Sequence, residues 1–112
     1  MAFEATLDKP TPSVARIAIV GELDASVAAI FRSKIEEAAG PDLRKLVLDM
    51  AGLEYMSSAG LRVLVFAKQK MGPNVQIYVV GAQPQVVEPI RQTGFHHSVY
   101  MLDAYDKDVI EK

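Results

Sequence analysis

Between Leu46 and Val65 the chain reads LVLDMAGLEYMSSAGLRVLV, two apolar runs of different period joined by a short loop. Residues 43–48 carry Leu and Val and stop at Asp49, the pattern of a buried strand. Beyond the loop, Leu61, Leu64, Val65 and Ala67 recur at helical spacing, which predicts a helix over 58–71 with Leu61, Leu64 and Val65 in the core. A buried strand that feeds a core-facing helix restricts the chain to folds in which helices cover a sheet. Ser57 and Ser58 fall where this helix begins. Unpaired N–H groups and the positive end of the helix dipole collect there, so the position favours a hydroxyl cap and tolerates a phosphate.

The flanking segments extend this alternation. Phe3, Ala5 and Leu7 alternate with Glu4 and Thr6, a half-exposed strand over 2–7, and Lys9-Pro10-Thr11-Pro12-Ser13 reads as a turn. Residues 14–20 are almost continuously apolar and end at Gly21, as a central strand antiparallel to the first would. Asp24 is placed to open a helix over 25–39, with Val27, Ile30, Phe31, Ile35 and Ala38 on one face and Gly40-Pro41 closing it. Strands are expected over 43–49 and 75–80, and a third helix from Pro84 to Gly94. Pro89 requires that helix to start late, near Val87, or to kink, because a mid-helix proline loses one hydrogen bond and clashes backwards. Residues 98–102 suit an edge strand and 104–112 a terminal helix. The order ββαβαβαβα predicts an α/β fold, one domain over 1–112 with a mixed, mostly parallel β-sheet flanked by α-helices.

Charge and composition narrow the function. Twelve Lys and Arg against 14 Asp and Glu give a net charge of −2, and no basic run forms a patch for nucleic acid. The chain has no cysteine, which excludes thiol chemistry and fits a reducing compartment. No apolar run approaches membrane-spanning length, and the sequence MAFEATLDKP lacks signal-peptide character, so a cytoplasmic protein without membrane contact is expected. The pair His96-His97 invites a metal. Neighbours on an extended segment point to opposite faces and no third histidine exists, so no metal is expected there. Glu36-Glu37 and Asp106-Lys107-Asp108 read as solvated surface.

The stretch Asp49-Met50-Ala51-Gly52-Leu53-Glu54-Tyr55-Met56-Ser57-Ser58-Ala59-Gly60-Leu61 resembles the signature of the STAS family, the sulfate-transporter and anti-sigma-factor-antagonist domains. Gly21-Glu22-Leu23-Asp24 is similar to that family's corner before its first helix. The resemblance covers essentially the whole chain. It implies a phosphorylatable anti-sigma-factor antagonist that binds, when unphosphorylated, an anti-sigma factor that is also a serine kinase, and so frees the sigma factor. Phosphorylation then dissolves the complex, and a PP2C-type phosphatase resets it. Carried onto this sequence, the acceptor is Ser58, Asp24 is the acidic residue close to it, and Met56, Ser57 and Gly60 complete the partner-facing turn. One position departs from the pattern. Many antagonists have Asp before the acceptor, where this chain has Ser57, which sets two hydroxyls side by side and removes one negative charge.

Simpler roles stand beside these. Ser58 or Ser57 could serve as an unmodified helix cap, Asp24 as the cap of the first helix, and Met56 as partial core packing. Gly60 in the first turn permits close backbone approach, by the core or by a partner. A second role for the same fold is a stand-alone STAS subunit of a stress-signalling or lipid-transport complex, docked permanently and without a phospho-switch. Serine hydrolase chemistry is disfavoured. Met56-Ser57-Ser58-Ala59-Gly60 lacks the Gly-x-Ser-x-Gly elbow, and no histidine is placed as a base. Neither a catalytic residue nor a cofactor is expected.

Overall fold

A computed structural model describes residues 3–111. Strand β1 (Glu4–Thr11) and β2 (Val14–Leu23) form an antiparallel hairpin, paired from Glu4 opposite Val20 to Thr11 opposite Val14. The expected strand over 2–7 is therefore longer at its far end, while Ala2 lies outside the described residues. Pro10 does not end it, because β1 is an edge strand where a missing N–H breaks no ladder, and the register shifts between Asp8 and Thr11. Arg16 faces Asp8 across the hairpin and donates to both carboxylate oxygens, at 3.0 and 2.7 Å.

Parallel strands extend the sheet beyond β2. They are β3 (Lys45–Asp49), β5 (Gln76–Val80) and β6 (Tyr100–Leu102), giving the order β1-β2-β3-β5-β6. A sixth strand, β4 (Leu53–Met56), was not foreseen within the loop after β3, and it pairs in parallel with the end of β2. Gly21 makes this possible. Rather than ending the strand, it adopts φ +95°, and the ladder shifts between Gly21 and Glu22. Below that bulge β2 pairs with β3, as far as Ala18 opposite Asp49; above it, β2 pairs with β4. A β-carbon disfavours such a positive φ, and glycine does not carry one.

Alternation along the strands sorts the two faces. Ala15, Ile17, Ile19, Leu46, Leu48, Ile77 and Val79 pack in one cluster with three helices, α1 (Ala28–Ala38), α2 (Ser58–Met71) and α3 (Pro84–Gln92). From the helices come Phe31, Ile35, Ala38, Val63, Leu64, Ala67, Val86 and Ile90. Two residues expected in the core stand outside it: Ile30 is 48% exposed and Val65 41%, and Val63 is buried in place of Val65. Helix α2 keeps the predicted bounds, whereas α1 begins three residues later than expected. Helix α3 starts at Pro84 and continues past Pro89 to Gln92, so the late start near Val87 is not needed. Its first turn is anchored by the Gln83 carbonyl, which accepts from Val86 and Val87 N–H, each at 2.9 Å. His96 and His97 sit in a 3-10 turn (Phe95–His97), not on an extended segment, with ring centroids 3.9 Å apart.

The opposite face is covered at its centre by the short helix α4 (Lys107–Ile110), a trimmed version of the one expected over 104–112. Ile110 is fully buried against Val14, Val47, Tyr78 and Val80. Arg16 stacks over Tyr105 at 4.8 Å, and the Tyr105 hydroxyl donates to Glu111 at 2.5 Å. Burial, then the hydrogen bond to Glu111, pushes the Tyr105 phenol up from 10 to about 12. A raised folded-state pKa gives stability that is complete below pH 10 and lost as pH climbs through about 12. Titrating wild type and Tyr105→Phe side by side should therefore show an alkaline loss of stability in that window that the phenylalanine variant lacks. Among the described residues, no helix is long and apolar enough to cross a membrane.

Candidate functional site

The carboxyl ends of β2 and β4 lie side by side, with Leu23 opposite Met56. Ser57 N–H donates to the Leu23 carbonyl at 2.8 Å, which fixes the start of α2 against the end of β2. Ser57 is the N-cap, in extended backbone, and its Oγ accepts from Gly60 N–H at 3.4 Å. Capping therefore falls to Ser57 and leaves Ser58, the first helical residue, exposed and with no hydrogen bond from its hydroxyl among the described residues. Ser57→Ala should lower stability by about 0.5–1 kcal/mol, the low end for a lost cap because this bond is long, and Ser58→Ala should leave it unchanged within about 0.5 kcal/mol. Chemical denaturation of the two variants checks the contrast.

Asp24 follows Leu23 directly and so stands on the same rim. It does not cap α1, as the sequence suggested. The helix begins at Ala28, with Val27 at its N-cap position and no side-chain cap. Asp24 closes a tighter turn instead, its Oδ1 accepting from Ser26 N–H at 2.9 Å and from the Ser26 hydroxyl at 2.6 Å. The Ser26 hydroxyl, chiefly, holds the exposed Asp24 carboxyl below its ordinary range, so it stays ionised. The rim thus presents a fixed carboxylate on one turn and a free hydroxyl on the next.

Met56 and Gly60, expected on the partner-facing turn, point the other way. Met56 is 4% exposed, and Gly60 is buried against it. A β-carbon at Gly60 would sit 2.8 Å from Leu23 Cγ and Cδ2 and from Met56 Cγ. These two residues support the turn from beneath, while Ser58 and Asp24 face solvent.

Residues 8–107 match the family model of the STAS domain. The chain belongs to the STAS domain family. It is 32% identical over 81 residues to the anti-sigma-F factor antagonist RsfB of Mycobacterium tuberculosis, a match covering 72% of this chain and 66% of that protein, just under two thirds of its length. An anti-sigma factor antagonist of solved structure from Mycobacterium paratuberculosis superposes with a TM-score of 0.87 at 21% identity, over 99% of this chain and 96% of that chain. The phosphorylated form of the Bacillus cell fate determinant SpoIIAA superposes at 0.76 and 19% identity, over 96% and 97% of the two chains. Its unphosphorylated form gives 0.75 at the same identity, over 96% of each. At these identities the likeness to solved structures speaks for the fold.

Side chains that sequence reading passed over hold the loop of this STAS domain in place. Asp49 Oδ1 accepts from Ala51 N–H at 3.1 Å and turns the chain out of β3. Gln83 and Gln85, at the start of α3, donate from their amides to the Ala51 and Glu54 carbonyls at 3.0 and 3.1 Å. The free side of β4 is thereby covered by side-chain amides rather than by another strand. No histidine approaches the serines from the far end of the helix: His97 lines a cavity with Lys68, ten residues and about 15 Å along α2 from Ser58. Among the described residues, no three His, Cys, Asp or Glu side chains converge as metal ligands.

Proposed function

We propose that this STAS domain is an anti-sigma-factor antagonist switched by phosphorylation of Ser58. Unphosphorylated, it binds an anti-sigma factor that is also a serine kinase and frees the sigma factor. The observation that carries this reading is the exposed, unbonded Ser58 hydroxyl at the first position of α2, beside the ionised Asp24. The relationship to RsfB, an anti-sigma-F factor antagonist, supports the partner class. Asp24, Ser57 and Ser58 make the contact surface in this reading, with Met56 and Gly60 holding it from below. A PP2C-type phosphatase resets the cycle.

The physics favours a switch at the interface over one that refolds the domain. Phosphate at a helix start is stabilised by the dipole, by about 0.3–1 kcal/mol. The fold matches SpoIIAA about equally in its two forms, at 0.75 and 0.76, which agrees with a scaffold that accommodates both. The test is binding. The unmodified chain, titrated by calorimetry into each anti-sigma factor encoded in the same genome, should give a stable complex with one of them. Binding to none, together with recovery on a membrane transporter, would replace this reading with the stand-alone subunit.

A further inference from the structure

Beside the rim, α1 and α2 leave a cleft of about 300 Å³. Its floor is small and apolar, from Ala28 and Ala29 on α1 and Ala59 and Val63 on α2. Its mouth is basic. Arg32 and Arg62 stand on opposite helices, with Phe66 between them on the α2 side. The Arg32 guanidinium lies over the Phe66 ring, 4.0 Å from its centroid, a stack that fixes the cation by its face and leaves its N–H edge available. Neither arginine has a hydrogen bond or an ion pair with any described residue. Two unpaired cations over an alanine floor complement one chemistry: a carboxylate next to an apolar side chain.

The cleft is continuous with the rim. Ala59 follows Ser58, and Ser58, Arg62 and Phe66 succeed one another at i, i+4 and i+8 along a single flank of α2. Ala28 begins α1 immediately after the Asp24–Val27 turn. We infer that this cleft is a docking site for an acidic segment of the anti-sigma partner, which brings a carboxylate to Arg32 and Arg62 and an apolar side chain to the alanines. The inference rests on the proposed function and extends it. Arg62 lies one turn from Ser58, where a phosphate would attract it. Phosphorylation then acts twice, by repelling the partner and by drawing Arg62 away from the segment it holds.

The experiment measures affinity for the bound anti-sigma factor by calorimetry, with melting temperature and light scattering as controls. Arg32→Glu, Arg62→Glu and Ala29→Asp, the last placing a carboxylate in the cleft while keeping both arginines, should each weaken binding roughly tenfold or more. Lys9→Glu, the same charge change on the exposed edge strand, should stay within about twofold. If the cleft variants bind within twofold of wild type while phosphate on Ser58 still dissolves the complex, the docking site is wrong and the switch stands. Should wild type bind no anti-sigma factor, both fall together. A wild-type dimer that the cleft variants dissolve would reassign the cleft to a second copy of this chain and overturn the inference.

Discussion

A phosphate on Ser58 should weaken binding to the anti-sigma factor more than tenfold, and Ser58→Ala should bind as the unmodified chain does while taking up no label. The size follows from charge. A dianion about 5 Å from a single partner carboxylate is repelled by roughly 2 kcal/mol in water and roughly 7 kcal/mol at an effective dielectric of 20. Since about 1.4 kcal/mol is tenfold in affinity, even the lower figure suffices. The added charge of about −1.5 to −2 also nearly doubles the net charge of −2. Ser58→Asp carries one charge and should lose less, in the same direction. Because the Ser58 hydroxyl bonds to nothing among the described residues, the phosphorylated chain should melt within a few degrees of the unmodified one. Mass spectrometry of the peptide spanning Ser57–Ala59 after incubation with kinase and ATP identifies the acceptor. Label that persists in Ser58→Ala would move the switch to Ser57.

The second large effect is on stability, at Gly60. Two contributions oppose each other there. Helix propensity alone would make Gly60→Ala stabilising by about 0.8–1 kcal/mol. Against it, the new β-carbon meets Leu23 Cγ and Cδ2 and Met56 Cγ at 2.8 Å, and Leu23 is fully buried. Overpacking of this kind costs about 1–3 kcal/mol, so the net change should be a loss of up to roughly 2 kcal/mol for alanine and more for valine. Urea denaturation decides the sign. A stabilised Gly60→Ala would show that Leu23 and Met56 yield easily and that the turn is not held from below. Because Leu23 also accepts the Ser57 N–H, the substitution should loosen the rim and weaken partner binding together with stability.

Which parts of this domain were legible in its sequence follows from the range of the forces involved. Helix α2 was read to the residue because its start is set locally, by a serine cap, and its face by helical spacing. Strands β3 and β5 were read to within two residues, since continuous apolar runs in an α/β order have few other uses. Strand β4 was not legible. Leu53-Glu54-Tyr55-Met56 is too short to show a period, and its pairing is with residues about 30 positions earlier. The α1 start was misplaced because Asp caps a helix and closes a turn with the same acceptor; the hydroxyl of Ser26 settled the choice. Val65 and Val63 were exchanged because residues two apart point to nearly opposite sides of a helix, and Val63, next to the fully buried Leu64, is the one that faces the sheet.

The same division holds for the site. Local sequence determined the hydroxyls at a helix start, the acidic corner and the family signature, each a feature of a few adjacent residues. Only the tertiary structure decided that Asp24 and Ser58 share one rim, because the juxtaposition depends on β2 changing partners at Gly21. It also turned Met56 and Gly60 inward and stacked Arg32 on Phe66 across two helices. Those outcomes are set by packing between segments distant in the chain, where the buried area of one element depends on the position of every other, and no window of sequence carries that information.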